Sequence, residues 1–522
     1  MTADWIAEQR RVYFGNANSV KDYRIQLRST KTVWYWSLYL GILVLVALAN
    51  YGSITQQTQF GGPAAVQAAL TGYYQMVVGF VHAGILIIAP MIAASSVVSE
   101  YELRSIELVQ CSPTTAKYLF VGKFIACLRQ ILLLLFLALP IAAVGVTLGG
   151  ATWRQILEQF GYIAMQGSMA AALAFPIAIA TKSILRTVGG VAGSIFLFTM
   201  VGMALGTSMV ATTGMSTVPP FAGIIPFASA LAVGQSFDFF GVAIPHWLTA
   251  LALTGLIIKV LLLGAGSALT RVGSAETVSL RIHGLFLTLL FAGAVFLLIR
   301  SSVAMAATGS SQLVETTFMW MGFPMFAVFV VGLAVAAHGR MEERKFFADR
   351  MFVPADTFRG RPSGALGYIG LTTAIVTILP AIAVTLNGSF PATAVAAAAA
   401  WNFAFAFMVF GTVWWVSTFF DSAVGARRMS FGAVFGVGAV LHFLGAAIDA
   451  SLQNYQMTNM LGLNIFLPFG TNEGMILAKA AALGILGAVL LIAGERRRAS
   501  NLNILRHNGY IVDRDELTAQ TT

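Results

Sequence analysis

Six charged side chains, Glu100, Glu102, Arg104, Glu107, Lys117 and Lys123, stand within residues 99–123 of a chain in which only 10% of residues are charged. Their spacing points to docking rather than to bond-breaking. Leu103, Ile106 and Val109 recur every third residue with Leu108 beside them. That periodicity predicts a short amphipathic helix from Ser99 to Gln110, its carboxylates on the faces away from the apolar stripe. Ser112-Pro113 breaks it, and Thr114 or Thr115 can cap the helix that follows. A helix so placed between two apolar runs is a handle that a cytosolic partner could push; the same residues would also make a plain solvated connector.

Other chemistry lacks its residues. Gly122-Lys123 is followed by Phe124, so no phosphate loop is present. No His/Cys set has metal-ligand spacing, and Asp238 and Glu315 stand isolated. The expectation is a chain that is not an enzyme and binds no metal or cofactor itself. Lys259, Lys479, Asp449, His82 and His442 fall within or at the ends of apolar runs, where a mid-bilayer charge costs about 2.5–3.5 kcal/mol. They line a polar path or lock the structure together, or else Lys259 snorkels, Lys479 pairs with Asp449, and the histidines bond locally. Phe80, Phe196, Met200, Phe323, Phe326 and His442 are the candidate path for an apolar cargo; packing against lipid or protein is the other use of such residues.

The elements that must position these groups are membrane helices. The 522 residues are 58% hydrophobic with a mean hydropathy of +0.80. Apolar runs of about 20 residues recur without the period-two alternation of a barrel. Spans are expected at 33–50, 74–98, 124–149, 159–181, 188–210, 245–270, 284–303, 317–338, 367–386, 393–420, 431–450 and 472–494, making an all-α polytopic membrane protein of about twelve helices. Of the 31 Lys and Arg, 26 fall in residues 1–32, 99–123, 182–187, 271–283, 339–366, 421–430 and 495–522. Loops of the opposite parity hold Arg154, with Arg300 just before one of them. Positive loops stay inside, so both termini are expected in the cytosol. The net charge of +10 then reports topology and anionic lipid, not nucleic acid.

Residues 1–32 carry Val20, Tyr23 and Leu27 at helical spacing, which suits an amphipathic helix on the inner surface ending at Trp34-Tyr35-Trp36, or a disordered basic arm. The Pro- and Gly-rich stretch 211–244 reads as re-entrant, and such backbone is tolerated only when buried in protein. Cys111 and Cys127 fall on the cytosolic side, so no disulfide is expected, and the polar N-terminus does not resemble a cleavable signal. Glu102-x-Arg104 and Pro113 reappear 241 residues on as Glu343-x-Lys345 and Pro354, and Ile225-Pro226-Phe227 reappears 242 on as Leu467-Pro468-Phe469. This predicts a divergent repeat: a connecting segment at 1–32, membrane halves at 33–275 and 276–494, and a tail at 495–522.

Glu100-x-Glu102-x-Arg104-Ser-Ile-Glu107-Leu, then Cys111-Ser112-Pro113 and Gly122-Lys123, resembles the loop after the second span in ABC export permeases of the type-2 superfamily. The Pro226-Phe227 step before the sixth span and the basic N-terminus are similar to that group too. The resemblance covers the first 270 residues; in the second half Ala348 replaces the third acid and no Gly-Lys follows. It implies a double-length permease in a bacterial inner membrane that moves a hydrophobic or amphipathic compound outward. Two ATPase subunits would carry ATP and magnesium and dock on coupling helices, with Glu100, Glu102, Arg104, Glu107, Pro113, Glu343, Lys345 and Pro354 as contacts. A twelve-helix ion-coupled carrier is the competing expectation, and a non-transporting anchor a third.

Overall fold

The computed structural model describes residues 11–13, 15–60, 62–103, 115–213, 218, 221–226, 229–239, 242–269, 275–301, 325–339, 353–386, 392–421, 423–434 and 473–507. Its longer helices are α1 (Ala17–Arg28), α2 (Thr30–Phe60), α3 (Pro63–Glu102), α4 (Ala116–Thr147), α5 (Trp153–Thr181), α6 (Ile184–Thr213), α7 (His246–Leu269), α8 (Ala275–Ser301), α9 (Met325–Ala336), α10 (Ala365–Leu386), α11 (Ala392–Ser417), α12 (423–434) and α13 (Glu473–His507). Among the described residues nine helices are long and apolar enough to cross a membrane, which makes this a helical, multi-pass membrane architecture. α6 and α9 also lie at expected span positions; α12 begins within the expected loop 421–430 and reaches into the expected span 431–450, whose residues 435–450 lie outside the described ones.

The helices outrun the hydrophobic segments that announce them. At about 1.5 Å per residue, the 40 residues of α3 extend about 60 Å, twice the hydrocarbon thickness. Hydropathy registers only the part solvated by lipid, whereas backbone hydrogen bonding continues into the polar margins. Local chemistry sets the ends. Thr115 caps α4 by accepting from the Tyr118 amide at 3.3 Å. Thr152 and Gln155 form a capping box at the start of α5. Ser99–Glu102 are the last turn of α3, so the expected separate helix does not begin at Ser99; its remainder, 104–110, lies outside the described residues.

The chain divides into two compact units near Leu269/Thr270, with residues 207–216 at the end of α6 assigned to the second. In the first, α5 is central: α3, α4 and α7 pack on it, while α2 packs on α3 and α4. In the second, α11 is central: α9, α10 and α13 pack on it, while α8 packs on α9 and α10. Helix neighbours therefore follow one another in the same order in both. Trp401 and Trp414 of α11 are among the largest fully buried side chains.

Among the described residues the strands form one antiparallel hairpin, β1 (Ser236–Phe239) with β2 (Val242–Pro245), Asp238 opposite Ala243. It follows a buried irregular stretch at 221–226, as the Pro/Gly-rich sequence led one to expect. Its backbone is satisfied from α5. Gln166 Nε2 donates to the carbonyls of Gly223 (2.8 Å) and Ile225 (3.2 Å). Tyr162 Oη reaches the Ala232 carbonyl at 3.4 Å, and Glu158 accepts from the Gly234 amide at 2.6 Å. Gln166 lies about 20 Å along α5 from Trp153, deep in the helix bundle. A Cβ on Gly223 would stand 2.5 Å from the Tyr162 ring and 2.8 Å from Ala250 Cβ. Gly223→Ala is expected to lower stability by about 1–3 kcal/mol through overpacking, read as a fall in melting temperature of the detergent-purified chain. An unchanged melting temperature would mean that the stretch is not seated so tightly.

Candidate functional site

At the base of the first unit one ammonium joins three segments. Asn16 begins α1: its side-chain oxygen accepts from the amides of Asn18 and Ser19 at 3.0 and 3.4 Å. Its amide nitrogen donates to the carbonyls of Tyr118 (2.8 Å) and Val12 (3.0 Å). This cap lies flat on Gly122, where any Cβ would overlap the Asn16 amide. The Ala17 amide donates to Tyr118 Oη at 2.9 Å. Next to that glycine, Lys123 turns inward with its side chain only 2% exposed. Its Nζ donates to Asp22 of α1 (3.1 Å), Glu100 of α3 (2.7 Å) and the Ser96 carbonyl (2.9 Å). All three donors of the ammonium are used. Further along α4, Arg129 lies over the Tyr23 ring at 5.8 Å, and the end of α5 places Lys182 over Tyr101 at 5.0 Å.

The loop 104–114 lies in sequence between the two arms of this clamp. Glu100 is turned into the unit, on Lys123, rather than presented outward; Glu102 is exposed, as is Leu103 at 77%. Arg104, Glu107 and Pro113 lie outside the described residues. α1 forms where the amphipathic pattern places it, but it seats its polar side, Ser19 and Asp22, along the base of α4 and leaves Val20, Ile25 and Leu27 exposed.

In the second unit, residues 340–352 lie outside the described ones, and buried polar contacts hold the chain before and after them. Before them, His338 lies against Trp414 with ring centroids 4.7 Å apart, and its amide donates to Ser417 Oγ at 3.3 Å. Trp414 Nε1 donates to Glu495 of α13 at 2.6 Å, and Glu495 pairs with Arg498 at 2.9 Å. After them, buried Arg281 of α8 grips the stretch 353–364. Its Nη1 donates to the carbonyls of Asp356 (2.9 Å) and Thr357 (2.8 Å), its Nη2 to that of Arg361. Asp356 accepts from Ser363 Oγ at 2.8 Å, with Arg361 at 3.6 Å and Arg359 at 3.9 Å. Pro354 opens a short 3-10 turn and is exposed; Glu343 and Lys345 lie outside the described residues.

Of the six candidate cargo-path residues, the side chains of Phe80 and Phe196 are described. Phe80 and Phe196 are exposed, Phe196 at 63%. The side chains of Met200 and Phe326, and all of Phe323 and His442, lie outside the described residues. His82 is buried beside Gln166, and Lys259 is exposed within electrostatic range of Lys117 at the base of α4. Cys127 is a buried free thiol. Among the described residues no three His, Cys, Asp or Glu cluster as metal ligands do.

Asp22 and Arg281 were invisible to motif reading. Asp22 is the one acid between Ala17 and Arg28, and it sits opposite the basic side chains; that asymmetry was the available signal. No protein-family model, curated protein or solved structure matches the chain.

Proposed function

We propose that this chain is the membrane-spanning permease of an ATP-driven exporter of the ABC type-2 kind, powered by two separate ATPase subunits and moving a hydrophobic or amphipathic compound outward. The observation that carries the reading is the Lys123 clamp. It gathers the segment before the first span, the end of the second and the start of the third at one point, and residues 104–114 lie in sequence between the last two. A push on that loop would be shared by three segments at once. The two units are read as a divergent repeat of six helices each, on the parallel order of their helix neighbours. In this scheme ATP binds the two states with different affinity, and that difference drives the switch.

Purification from native membranes in mild detergent is expected to bring down two ATPase subunits per chain. In vesicles, the complex is expected to move a lipophilic fluorescent dye only with ATP and magnesium. Reversing charge with Glu102→Lys and Glu107→Lys is expected to cost the ATPase most of its association. Uptake that follows a proton gradient without ATP would replace this reading with an ion-coupled carrier.

A further inference from the structure

α1 has two faces of opposite character, and the docked one leaves the other unpartnered. Ser19, Asp22 and Gln26 point toward the unit, and Lys123 neutralises Asp22. Lys21, Arg24 and Arg28 are all exposed on the far side. At 100° per residue they occupy one stripe of about 60° opposite Asp22 and Gln26. Among the described residues none of the three meets an acid. Aliphatic side chains flank the stripe: Ile25, 58% exposed, on one edge, Val20 and Leu27 on the other. Arg28 precedes Trp34 by six residues, and Trp34 is 72% exposed at the start of α2, where an aromatic belt marks headgroup depth.

We infer that this stripe is a binding surface for anionic phospholipid headgroups of the leaflet where the chain begins. Three cations that meet no acid among the described residues, beside a span, complement a phosphate-rich surface, and the flanking aliphatic side chains fit the acyl boundary just above it. A protein partner would account for the cations but not for the exposed aliphatic edges beside an aromatic belt. The Asp22–Lys123 pair makes the surface one-signed, because it withdraws the helix's single carboxylate from the lipid side. Each cation is expected to favour anionic over neutral lipid by about fivefold. The inference requires only that the chain lies in a membrane, and is independent of the transport reading.

The test uses the full chain in nanodiscs, with Leu27→Cys carrying bimane in a Cys111→Ser, Cys127→Ala background. Quenching is measured with doxyl-labelled phosphatidylglycerol and with doxyl-labelled phosphatidylcholine at equal density. The expected result is several-fold stronger quenching by phosphatidylglycerol, lost at high salt and lost in the K21Q/R24Q/R28Q chain, which keeps Asp22, Lys123 and Glu100. Equal quenching by both lipids in the unsubstituted stripe overturns the inference. So does selectivity that survives the triple substitution. Unchanged selectivity together with loss of a copurifying subunit would assign the stripe to a protein instead. A bimane label on Thr30→Cys gives a second reading should the one at position 27 disturb folding.

Discussion

Lys123→Met is expected to release α1 from the first unit. The substitution removes the cation that two carboxylates share, Asp22 and Glu100, with side-chain exposures of 10% and 14%. Breaking a buried pair from one side costs about 3–5 kcal/mol, and the residual exposure here favours the lower end. A local loss of about 3 kcal/mol speeds amide exchange through α1 by roughly a hundredfold. Exchange measured by mass spectrometry over 17–28 should show that change without a matching one in α5 or α7. Asp22→Asn should do far less, because Lys123 keeps Glu100 and the Ser96 carbonyl. Lys123→Met combined with Asp22→Asn and Glu100→Gln should recover much of the protection, since no buried charge is then left alone. Unchanged exchange in the single variant would show that the Asn16 cap and the Tyr118 bonds hold α1 unaided. Under the transport reading the complex built with this variant should hydrolyse ATP on its ATPase subunits without moving dye.

This clamp also marks how far sequence reasoning reaches. The apolar runs of α3, α4 and α5 were plain because lipid enforces them over many consecutive residues. Thr115 was legible as a cap because capping is a local bond between neighbours in the chain. The buried stretch at 221–226 was legible because Pro and Gly beside apolar residues leave few other places for irregular backbone. The Asp22–Lys123 pair was not, because its members stand 101 residues apart and nothing in either local pattern names the other. Glu100 was misplaced for a related reason. Helical periodicity put the carboxylates of 99–110 on an outer face, but Ser99–Glu102 continue α3, and the register of that longer helix aims Glu100 at α4. The hairpin at 236–245 escaped notice because strands of four residues carry too short a pattern to stand out from a loop.

In the second unit the comparable experiment is Arg281→Met, and its expected effect is of the same order. Arg281 is 2% exposed and holds three carbonyls of the stretch 353–364 with one guanidinium. Each charge-assisted bond contributes about 1.5–3 kcal/mol, and the three share one ordered side chain, so a combined loss of about 3–5 kcal/mol is expected. Arg281→Lys should recover only part of it, because an ammonium on a shorter reach cannot fork across carbonyls from Asp356 to Arg361. Tyr368→Phe, which removes only the 2.8 Å bond to the Arg281 carbonyl, should cost about 1 kcal/mol. Amide exchange over 353–364 is the measurement. Two glycines let this stretch come close to itself and to α8. Gly364 lies so close to the Asp356 carbonyl that a Cβ would overlap it, and Gly360, at φ +73, faces the Thr277 side chain of α8. Those glycines permit the close approach but do not hold it, since van der Waals contact with α8 gives little against the entropy of freeing a dozen residues. The guanidinium supplies the hold. If exchange over 353–364 stays slow in Arg281→Met while the whole chain melts earlier, the stretch is held by packing alone, and Arg281 serves only the interior of α8 and α10. If exchange rises there first, the stretch 353–364, like α1, is attached to its unit through one buried cation. The polarity is then reversed: in the first unit the cation belongs to the third helix and reaches the segment before the first, whereas in the second it belongs to the first helix and reaches the segment before the third.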